Sequence, residues 1–489
     1  MSKVTLIDKR GEHAIEARAV NSKEYRALYK KREQIYPKLA HGTFRNLKWA
    51  AMIVLLAIYY VTPWLRWDRG VGRPDQAVLV DFEHSRFYFF FIELWPQEVY
   101  YITGLLVLAA FGIFLSSALF GRVWCGYACP QTVWTDLYIY VERLIEGDRN
   151  ARMRLDKAPL SANKVARKVF KHAIWLVIAA ATGGAWVFYF ADAPTLFTQL
   201  FTGTASVSAY FFVGLLTFTT YALAGTMREQ VCTYMCPWPR IQAAMMDNEA
   251  LSVTYHVHRG EPRGPHKKGE TWEGRGDCID CRQCVAVCPQ GIDIRDGDQL
   301  ECINCALCID ACDEIMTKVG RPKGLIGYDS YANIDRRAQG KAPRIRLIRP
   351  RTIVYGALLA LVGALMIYGL ATRQTLDLNV IRDRSPPFVR LADGSFRNDY
   401  AVKLINMTDA PRRVVVTVSG LEGARLQSAD GGAQATAIAE ADSVTNVRLH
   451  VVAPGATEAG SHKLTFTVRD LASGEEAQSA SAFLAGARP

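Results

Sequence analysis

Charged side chains are missing from five long, mainly apolar stretches of this 489-residue chain. Each stretch has about the 20 residues that a helix needs to cross a bilayer. Buried core helices of a large soluble protein are the alternative, which five such runs disfavour. The first stretch follows a long polar arm, so it is not a cleaved signal peptide. The predicted transmembrane helices are Trp49 to Leu65, Val99 to Phe120, Ala173 to Phe190, Ser206 to Thr226 and Thr352 to Ala371.

Cysteine is missing from all the segments that these helices would leave on one side of the membrane, and lysine and arginine are missing from one of them. Residues 67–96, 192–205 and 372–489 contain no cysteine, and 192–205 contain no lysine or arginine. The arm 1–48 and the segment 121–172 are rich in lysine and arginine, which is typical of cytoplasmic segments. We therefore predict a cytoplasmic N-terminus, an external C-terminus and twelve cysteines on the cytoplasmic side, where thiols stay reduced.

Signals of several other protein classes are missing as well. The predicted spans contain no histidine pair for a haem, since His172 only borders the third span, and no ionisable residue for a proton path. This excludes a b-haem quinol enzyme and a pump. No P-loop or Rossmann glycine fingerprint is found, and His256, His258 and His266 fall in a linker where we expect solvated side chains. The net charge of +11 is explained by cytoplasmic loops near anionic lipid, so no nucleic acid is expected as a partner.

Two runs of four cysteines are the strongest chemical signal that is present. Each reads C-x2-C-x2-C-x3-C, the ligand spacing of a bacterial ferredoxin with two 4Fe-4S clusters. Zinc sites usually pair two C-x2-C motifs across a long spacer, and disulfides do not suit a reducing compartment. The fourth cysteine of each run ligates the other cluster in such ferredoxins. We therefore predict one cluster on Cys278, Cys281, Cys284 and Cys312, and a second on Cys302, Cys305, Cys308 and Cys288.

The other four cysteines form a shorter repeat, C-x3-C-P, at the cytoplasmic ends of two predicted spans. Residues four apart on a helix lie on one face, and the following proline suits a helix entrance or a kink. If the two repeats pack about a pseudo-twofold axis, four thiols converge on a site for a soft metal such as Cu(I), zinc or iron-sulfur iron. The alternative is that they are small buried core residues. These cysteines are Cys125, Cys129, Cys232 and Cys236.

The composition predicts five regions. Residues 1–48 form a polar cytoplasmic arm, 49–251 a transmembrane domain with four spans, 252–351 a cytoplasmic ferredoxin domain with glycine- and proline-rich linkers, 352–371 the fifth span, and 372–489 an external domain. Within the second region we expect a membrane-surface helix in 131–172 and an aromatic segment, 82–96, at the outer membrane interface.

Short alternating runs with turn signals between them predict an antiparallel, immunoglobulin-like sandwich after the last span. The sandwich contains no cysteine and no obvious catalytic cluster, which favours a binding or spacer module. The predicted strands are 388–391, 401–406, 413–419, 444–452 and 463–468, with a hairpin turn at Asp393-Gly394.

These features together resemble the cytochrome c oxidase accessory protein family, the FixG, RdxA or CcoG type of membrane polyferredoxin. The resemblance extends along most of the chain. The ferredoxin core and the segment leading into an external sandwich separate it from the ferredoxins of periplasmic nitrate reduction, which are similar only in the membrane and cluster parts. It rests on Gly121-Arg122-Val123-Trp124-Cys125, Cys129-Pro130, Val231-Cys232, Cys236-Pro237, Cys288-Pro289-Gln290-Gly291-Ile292-Asp293-Ile294-Arg295, Glu301-Cys302-Ile303-Asn304-Cys305 and Arg382-Asp383-Arg384-Ser385-Pro386.

The resemblance implies a bacterial inner-membrane protein needed to mature a cbb-type oxidase, with a role in reducing Cu(II) to Cu(I). In this hypothesis the C-x3-C-P cysteines bind copper and act as the catalytic residues, while two 4Fe-4S clusters supply the electron. Expected partners are oxidase subunits or copper-delivery proteins, and an electron donor that the sequence does not name. Three alternatives stay open: quinol-linked transfer to a periplasmic reductase, a third redox centre on the C-x3-C-P cysteines, and a non-enzymatic redox sensor or assembly scaffold.

Overall fold

The structure is a computed structural model that describes residues 33–70, 73–267, 269–428 and 435–486. The chain divides into two compact units, Met1–Met366 and Ile367–Pro489, and each is described separately. The helices are α1 (Thr43–Val61), α2 (Tyr100–Phe120), α3 (Val123–Tyr127), α4 (Pro130–Glu146), α5 (Arg149–Lys157), α6 (Ala162–Val187), α7 (Ala193–Thr202), α8 (Val207–Thr220), α9 (Trp238–Met245), α10 (Val257–Gly260), α11 (Gln283–Val287), α12 (Leu307–Lys318), α13 (Tyr331–Ala338) and α14 (Pro350–Ala371), with π-helical segments at Tyr221–Met227 and Val231–Met235.

Five helical segments of the described residues are long and apolar enough to cross a membrane, and each coincides with a predicted span. Their outward faces carry exposed large apolar side chains such as Leu106 and Ile367. A helix satisfies its own backbone hydrogen bonds, so apolar helices of this length are suited to the bilayer core. The segments are Thr43–Trp64, Pro96–Phe120, Ala162–Val187, Val207–Met227 and Pro350–Ala371.

The first of these helices begins earlier than predicted, at Thr43. Its first turns carry Arg45 and Lys48, which are buried beside Asp136 of α4, and Arg45 Nη1 donates to the Asp136 carboxylate at 3.0 Å. The preceding segment is also packed, since the Lys38 N–H donates to a ferredoxin-module carbonyl at 2.8 Å. The first helix therefore begins within the predicted polar arm, and residues 33–48 pack against other parts of the chain, whereas residues 1–32 lie outside the described part.

The helix predicted in 131–172 occurs as α4, and the same segment also forms α5 and the start of α6, while its place at a membrane surface stays a prediction. Glu142 of α4 is fully buried, and its carboxylate contacts Arg152 of α5, Lys171 of α6 at 3.5 Å and Arg228 at 2.6 Å. A buried carboxylate is tolerated only when it is paired. The basic residues at helical spacing therefore pair with carboxylates between helices.

The segment before α2 folds into a three-stranded antiparallel sheet of β1 (Val78–Asp81), β2 (Arg86–Phe89) and β3 (Ile92–Leu94). Tyr88 and Trp95 are buried, and the Arg86 guanidinium stacks on Trp95 at 3.9 Å. Phe82 and Phe91 are exposed. The aromatic segment is thus partly a small core, and its place at the outer membrane interface stays a prediction.

The two predicted linkers around the cysteine runs are ordered parts of the ferredoxin module. β4 (Ser252–Tyr255) pairs antiparallel with β5 (Ile326–Asp329), and both strands pack on the cysteine loops. His256 is held between the two linkers, with Nδ1 2.9 Å from the Gly324 carbonyl oxygen and Nε2 3.1 Å from an Asp329 carboxylate oxygen. His266 stacks on Trp272. The prediction of solvated linker histidines is therefore wrong for these two residues.

The second unit is an antiparallel β-sandwich, as predicted. One sheet has the order β10-β12-β8-β6 with β7 beside β8, and the other has the order β11-β9-β13-β14. Val402, Leu404, Phe466 and Phe483 are fully buried in the core between them. The strands are β6 (Leu376–Arg382), β7 (Val389–Arg390), β8 (Phe396–Asn406), β9 (Arg412–Ser419), β10 (Arg425–Ser428), β11 (Ala435–Ala439), β12 (Ser443–Ala453), β13 (Gly460–Asp470) and β14 (Glu476–Ala485).

The five predicted strands occur as β7, β8, β9, β12 and β13, whereas β6, β10, β11 and β14 were not predicted. The turn at Asp393-Gly394 joins β7 to β8, with Gly394 in the left-handed region at φ 84°. The Asp393 carboxylate accepts from the Ser395 N–H at 3.0 Å and so stabilises the turn.

Candidate functional site

The two cysteine runs fold into matching loops. Asp280 and Arg282 in the first run and Asn304 and Ala306 in the second have left-handed backbones, with φ between 51° and 60°. These residues stand at equivalent places, two and four positions after the first cysteine of each run. Backbone turned in this way presents successive N–H groups to one concave side, which suits an anionic group. The loops then lead into α11 and α12.

Each loop surrounds a cavity lined by four predicted ligands. The first cavity is lined by Cys278, Cys281, Cys284 and Cys312. The second cavity is lined by Cys302, Cys305, Cys308 and Cys288, and Cys284 also borders it. The fourth cysteine of each run thus lies at the cavity of the other run. We refer to these two sets of four as the first and second cluster sites.

The chemistry of these cysteines fits 4Fe-4S clusters. Burial raises the pKa of Cys288 and Cys312 to about 12 and that of Cys302 to about 11, so thiolates here require nearby positive charge such as bound iron. The described residues contain no group of ligands that could hold a single metal ion. Unlike a single metal ion, a 4Fe-4S cluster binds one thiolate at each of its four iron atoms. Such a cluster would allow the site to exchange single electrons.

The C-x3-C-P cysteines lie at two matching kinks. Cys125 is in α3 and Cys232 is in a π-helical turn, whereas Cys129 and Cys236 are extended, with ψ of 127° and 125°. A residue before proline avoids the helical conformation. The prediction that both cysteines of a motif share one helix face is therefore wrong, and the predicted helix entrance is correct because Pro130 is the first residue of α4.

The four cysteines of the two motifs nevertheless lie in one region of the structure, and we refer to Cys125, Cys129, Cys232 and Cys236 as the thiol group. Burial raises the pKa of Cys125 and Cys232 to about 12, and the charges of the neighbouring cysteines of the group add to this increase. They are therefore close enough to interact electrostatically. In the described residues, however, they are not arranged to bind a single metal ion together. Their pKa values again favour the protonated form until a cation binds.

Two buried glutamines contact the thiol group, and sequence reasoning missed both. The Gln242 side-chain oxygen accepts a hydrogen bond from Cys125 Sγ at 3.0 Å, and Gln242 is fully buried in α9. The Gln290 side chain hydrogen-bonds Cys232. Gln242 belongs to no cysteine motif, so no sequence signal marks it. Gln290 follows Cys288-Pro289 directly, and that position was the available signal.

The fold and these sites define a membrane iron-sulfur protein with a C-terminal sandwich, and comparison with known proteins agrees. Residues 227–331 match the family described as a 4Fe-4S dicluster domain, residues 102–147 match a 4Fe-4S binding domain, and residues 366–486 match the IG-like fold at the C-terminal of FixG. The predicted immunoglobulin-like fold class is thus confirmed.

Three relatives match over nearly their whole length. Nitrogen fixation protein FixG of Rhizobium meliloti is 52% identical, with 90% of each chain covered. Protein RdxB of Cereibacter sphaeroides is 50% identical over 92% of this chain and 95% of its own, and Protein RdxA of the same organism is 50% identical over 90% and 93%. The chain therefore belongs to the FixG and RdxA family of membrane iron-sulfur electron-transfer proteins.

Proposed function

We propose that this chain reduces Cu(II) to Cu(I) for the assembly of a cbb-type cytochrome c oxidase. The observation that carries the proposal is that Cys125 of the thiol group packs against a core containing Ile303 and Cys305 of the second cysteine run. A set of soft metal ligands thus lies in contact with a predicted cluster site. The link to oxidase assembly follows from the resemblance of the sequence to this family.

The proposal assigns a separate role to each set of cysteines. The first cluster site, Cys278, Cys281, Cys284 and Cys312, and the second, Cys302, Cys305, Cys308 and Cys288, hold two 4Fe-4S clusters. The thiol group binds copper as substrate. One Cu(II) ion accepts one electron and becomes Cu(I), the oxidation state that thiolates prefer. The thiols release their protons as the metal binds.

The test uses protein purified without oxygen, with iron, sulfide and copper quantified before Cu(II) is added. A Cu(I)-specific chelator then reports copper reduction. The variant with Cys125, Cys129, Cys232 and Cys236 all changed to Ser should lose copper reduction and keep about eight iron atoms per chain. The retained iron is the control for folding of the ferredoxin module. Unchanged copper reduction in this variant would remove the thiol group from the mechanism.

A second candidate function is that the thiol group holds a third iron-sulfur centre. The match of a 4Fe-4S binding domain to residues 102–147, which contain Cys125 and Cys129, favours it. Iron counting separates the two candidates, because two clusters contain about eight iron atoms per chain and a third would raise this to about twelve. Loss of about four iron atoms in the quadruple serine variant would favour the third centre.

We also propose a location in a bacterial inner membrane, with the N-terminus and ferredoxin module in the cytoplasm and the sandwich in the periplasm. The basic residues of 121–172 and the lack of basic residues in 192–205 support this orientation. Partners would be oxidase subunits or copper-delivery proteins and a cytoplasmic electron donor. Reporter fusions after residues 48, 204 and 486 test the orientation, and a cytoplasmic signal from the last fusion would exclude it.

A further inference from the structure

The first C-x3-C-P motif lies directly on residues 302–308, hereafter the second-cluster loop. Gly126 faces this loop so closely that a Cβ at its position would lie 2.6 Å from the Ile303 carbonyl oxygen and 3.0 Å from the Cys305 Cα. Real Cβ atoms essentially never lie closer than 3.0 Å to a non-bonded heavy atom, so the contact with the Ile303 oxygen could not form without a shift. A side chain at residue 126 would therefore push the second-cluster loop away from α3.

Two tyrosines hold the same loop by its carbonyl groups. The Tyr127 hydroxyl of α3 donates to the Cys305 carbonyl oxygen at 3.1 Å, and the Tyr328 hydroxyl of β5 donates to the Asn304 carbonyl oxygen at 2.7 Å. Because Asn304 has a left-handed backbone, these bonds fix carbonyl directions in a conformation that few residues adopt. The membrane domain thus helps to shape the loop.

The second motif has different residues at the matching positions. Thr233 stands where the first motif has Gly126, and Tyr234, which corresponds to Tyr127, is 56% exposed. This motif is contacted instead by Gln290, whose side chain bonds Cys232. Gln290 follows Cys288-Pro289, and Cys288 lines the second cavity. Both motifs therefore contact segments that carry cysteines of the second cluster site.

We propose that Gly126 and Tyr127 are positioning residues that hold the second-cluster loop against the thiol group, so that electrons leave the module at the second cluster site. The first cluster site is then the entry side. This inference rests on the proposed function. One Cu(II) ion gains one electron to give Cu(I), and a reduced one-electron carrier, such as a flavodoxin- or ferredoxin-type protein, loses one. Dithionite takes the place of that carrier in the experiment.

The test compares Tyr127→Phe with Tyr234→Phe, which removes the equivalent hydroxyl of the second motif. Tyr255→Phe identifies the first cluster, because Tyr255 lines the first cavity together with Cys278. Each protein is titrated potentiometrically under electron paramagnetic resonance. Each is then reduced with dithionite, and its reoxidation by one equivalent of Cu(II) is followed by stopped-flow absorbance. Gly126→Ala is a second variant, for which we expect the same changes as for Tyr127→Phe. If Gly126→Ala does not fold, Tyr127→Phe alone provides the test.

We expect Tyr127→Phe to shift the potential of the cluster that Tyr255→Phe leaves unchanged, and to slow reoxidation by Cu(II) several-fold. Tyr234→Phe should match the wild type in both measurements. Reoxidation of Tyr127→Phe at the wild-type rate, or equal effects of Tyr127→Phe and Tyr234→Phe, would overturn the inference. If Cu(II) does not reoxidise the wild type, the proposed function fails. In that case the cluster potentials alone test the inference. A second-cluster potential in Tyr127→Phe equal to that of the wild type would overturn it.

Discussion

The Arg295 guanidinium lies 3.9 Å from the Cys278 sulfur, measured from Nη1 to Sγ. Asp293 and Asp280 hold it there through ion pairs of 2.6 Å each, so the positive charge has a fixed place beside the first cluster site. Arg295 also lines the first cavity. Charges and hydrogen bonds near the sulfurs are among the factors that set the potential of an iron-sulfur cluster.

Replacing this arginine should make the first cluster harder to reduce. Arg295→Gln removes a positive charge that favours the more negative, reduced state. We expect the potential of the first cluster to fall by roughly 60 mV, equivalent to a tenfold change for one electron. Lys323→Gln removes the same charge from an exposed position of the module and serves as the control. Potentiometric titration checks both, and equal shifts in the two variants would contradict a specific role for Arg295.

Single alanine variants can test whether the fourth cysteine of each run ligates the cluster of the other run. Cys288→Ala should remove the second cluster and keep the first, although Cys288 belongs to the first run, because it lines the second cavity. Cys312→Ala should do the reverse. Each should lower the iron content from about eight to about four atoms per chain. Electron paramagnetic resonance would identify the surviving cluster, and loss of the first cluster in Cys288→Ala would show that each run holds its own cluster.

The buried network around Glu142 should contribute strongly to stability. Glu142→Gln leaves the cations of Arg152, Lys171 and Arg228 without this partner, and breaking a buried pair costs about 3–5 kcal/mol. Glu146 still contacts Lys171 at 3.1 Å, so we expect the lower end of that range. Thermal unfolding in detergent measures the change.

The matched control for this variant is Asp75→Asn, in a more exposed pair with Arg66. Exposed pairs contribute about 0–1 kcal/mol, so its unfolding should stay close to that of the wild type. An equal loss of stability in the two variants would show that burial of the Glu142 network is unimportant.

Acid should weaken the same network. Burial by itself would raise the pKa of Glu142, but the charges of Arg228 and Arg152 hold it below its usual value. A carboxylate with a lowered pKa stabilises the fold fully above its unfolded pKa of about 4.3, and this stabilisation is lost as the pH falls through the folded value. The difference in stability between wild type and Glu142→Gln should therefore shrink only below about pH 4. A difference that already shrinks near neutral pH would contradict this assignment.

The C-terminal sandwich should behave as a separate folding unit with its own core. Phe466 is fully buried and lies 4.9 Å from Tyr400 between ring centroids, so Phe466→Ala should destabilise the domain by about 3–5 kcal/mol. Ile438→Ala, in the exposed part of β11, should change its stability by less than about 0.5 kcal/mol. Denaturant unfolding of residues 372–489 measures both, and similar values would show that Phe466 does not belong to a packed core.

Features with a short repeat along the chain could be predicted from the sequence. The spacing of Cys278, Cys281 and Cys284 predicts a cluster loop because these residues are neighbours before any folding occurs. The five apolar stretches were likewise predicted, since a bilayer imposes a length and a composition on each helix separately. Strand β14 was missed because no local pattern marks it, since its many alanines and serines have little preference for strands. It forms through a ten-residue pairing with β13.

The sequence by itself thus determined the number of apolar helices, the two cluster loops and the family, because each depends on local pattern. Only the tertiary structure decided that α3 lies on the second-cluster loop and that Gln242 and Gln290 contact the thiol group. Cys125 and Cys305 are far apart along the chain, and their contact depends on how helices and loops pack. It also decided that Arg45 and Lys48 are buried, because their charges become tolerable in the interior only beside a distant carboxylate, that of Asp136.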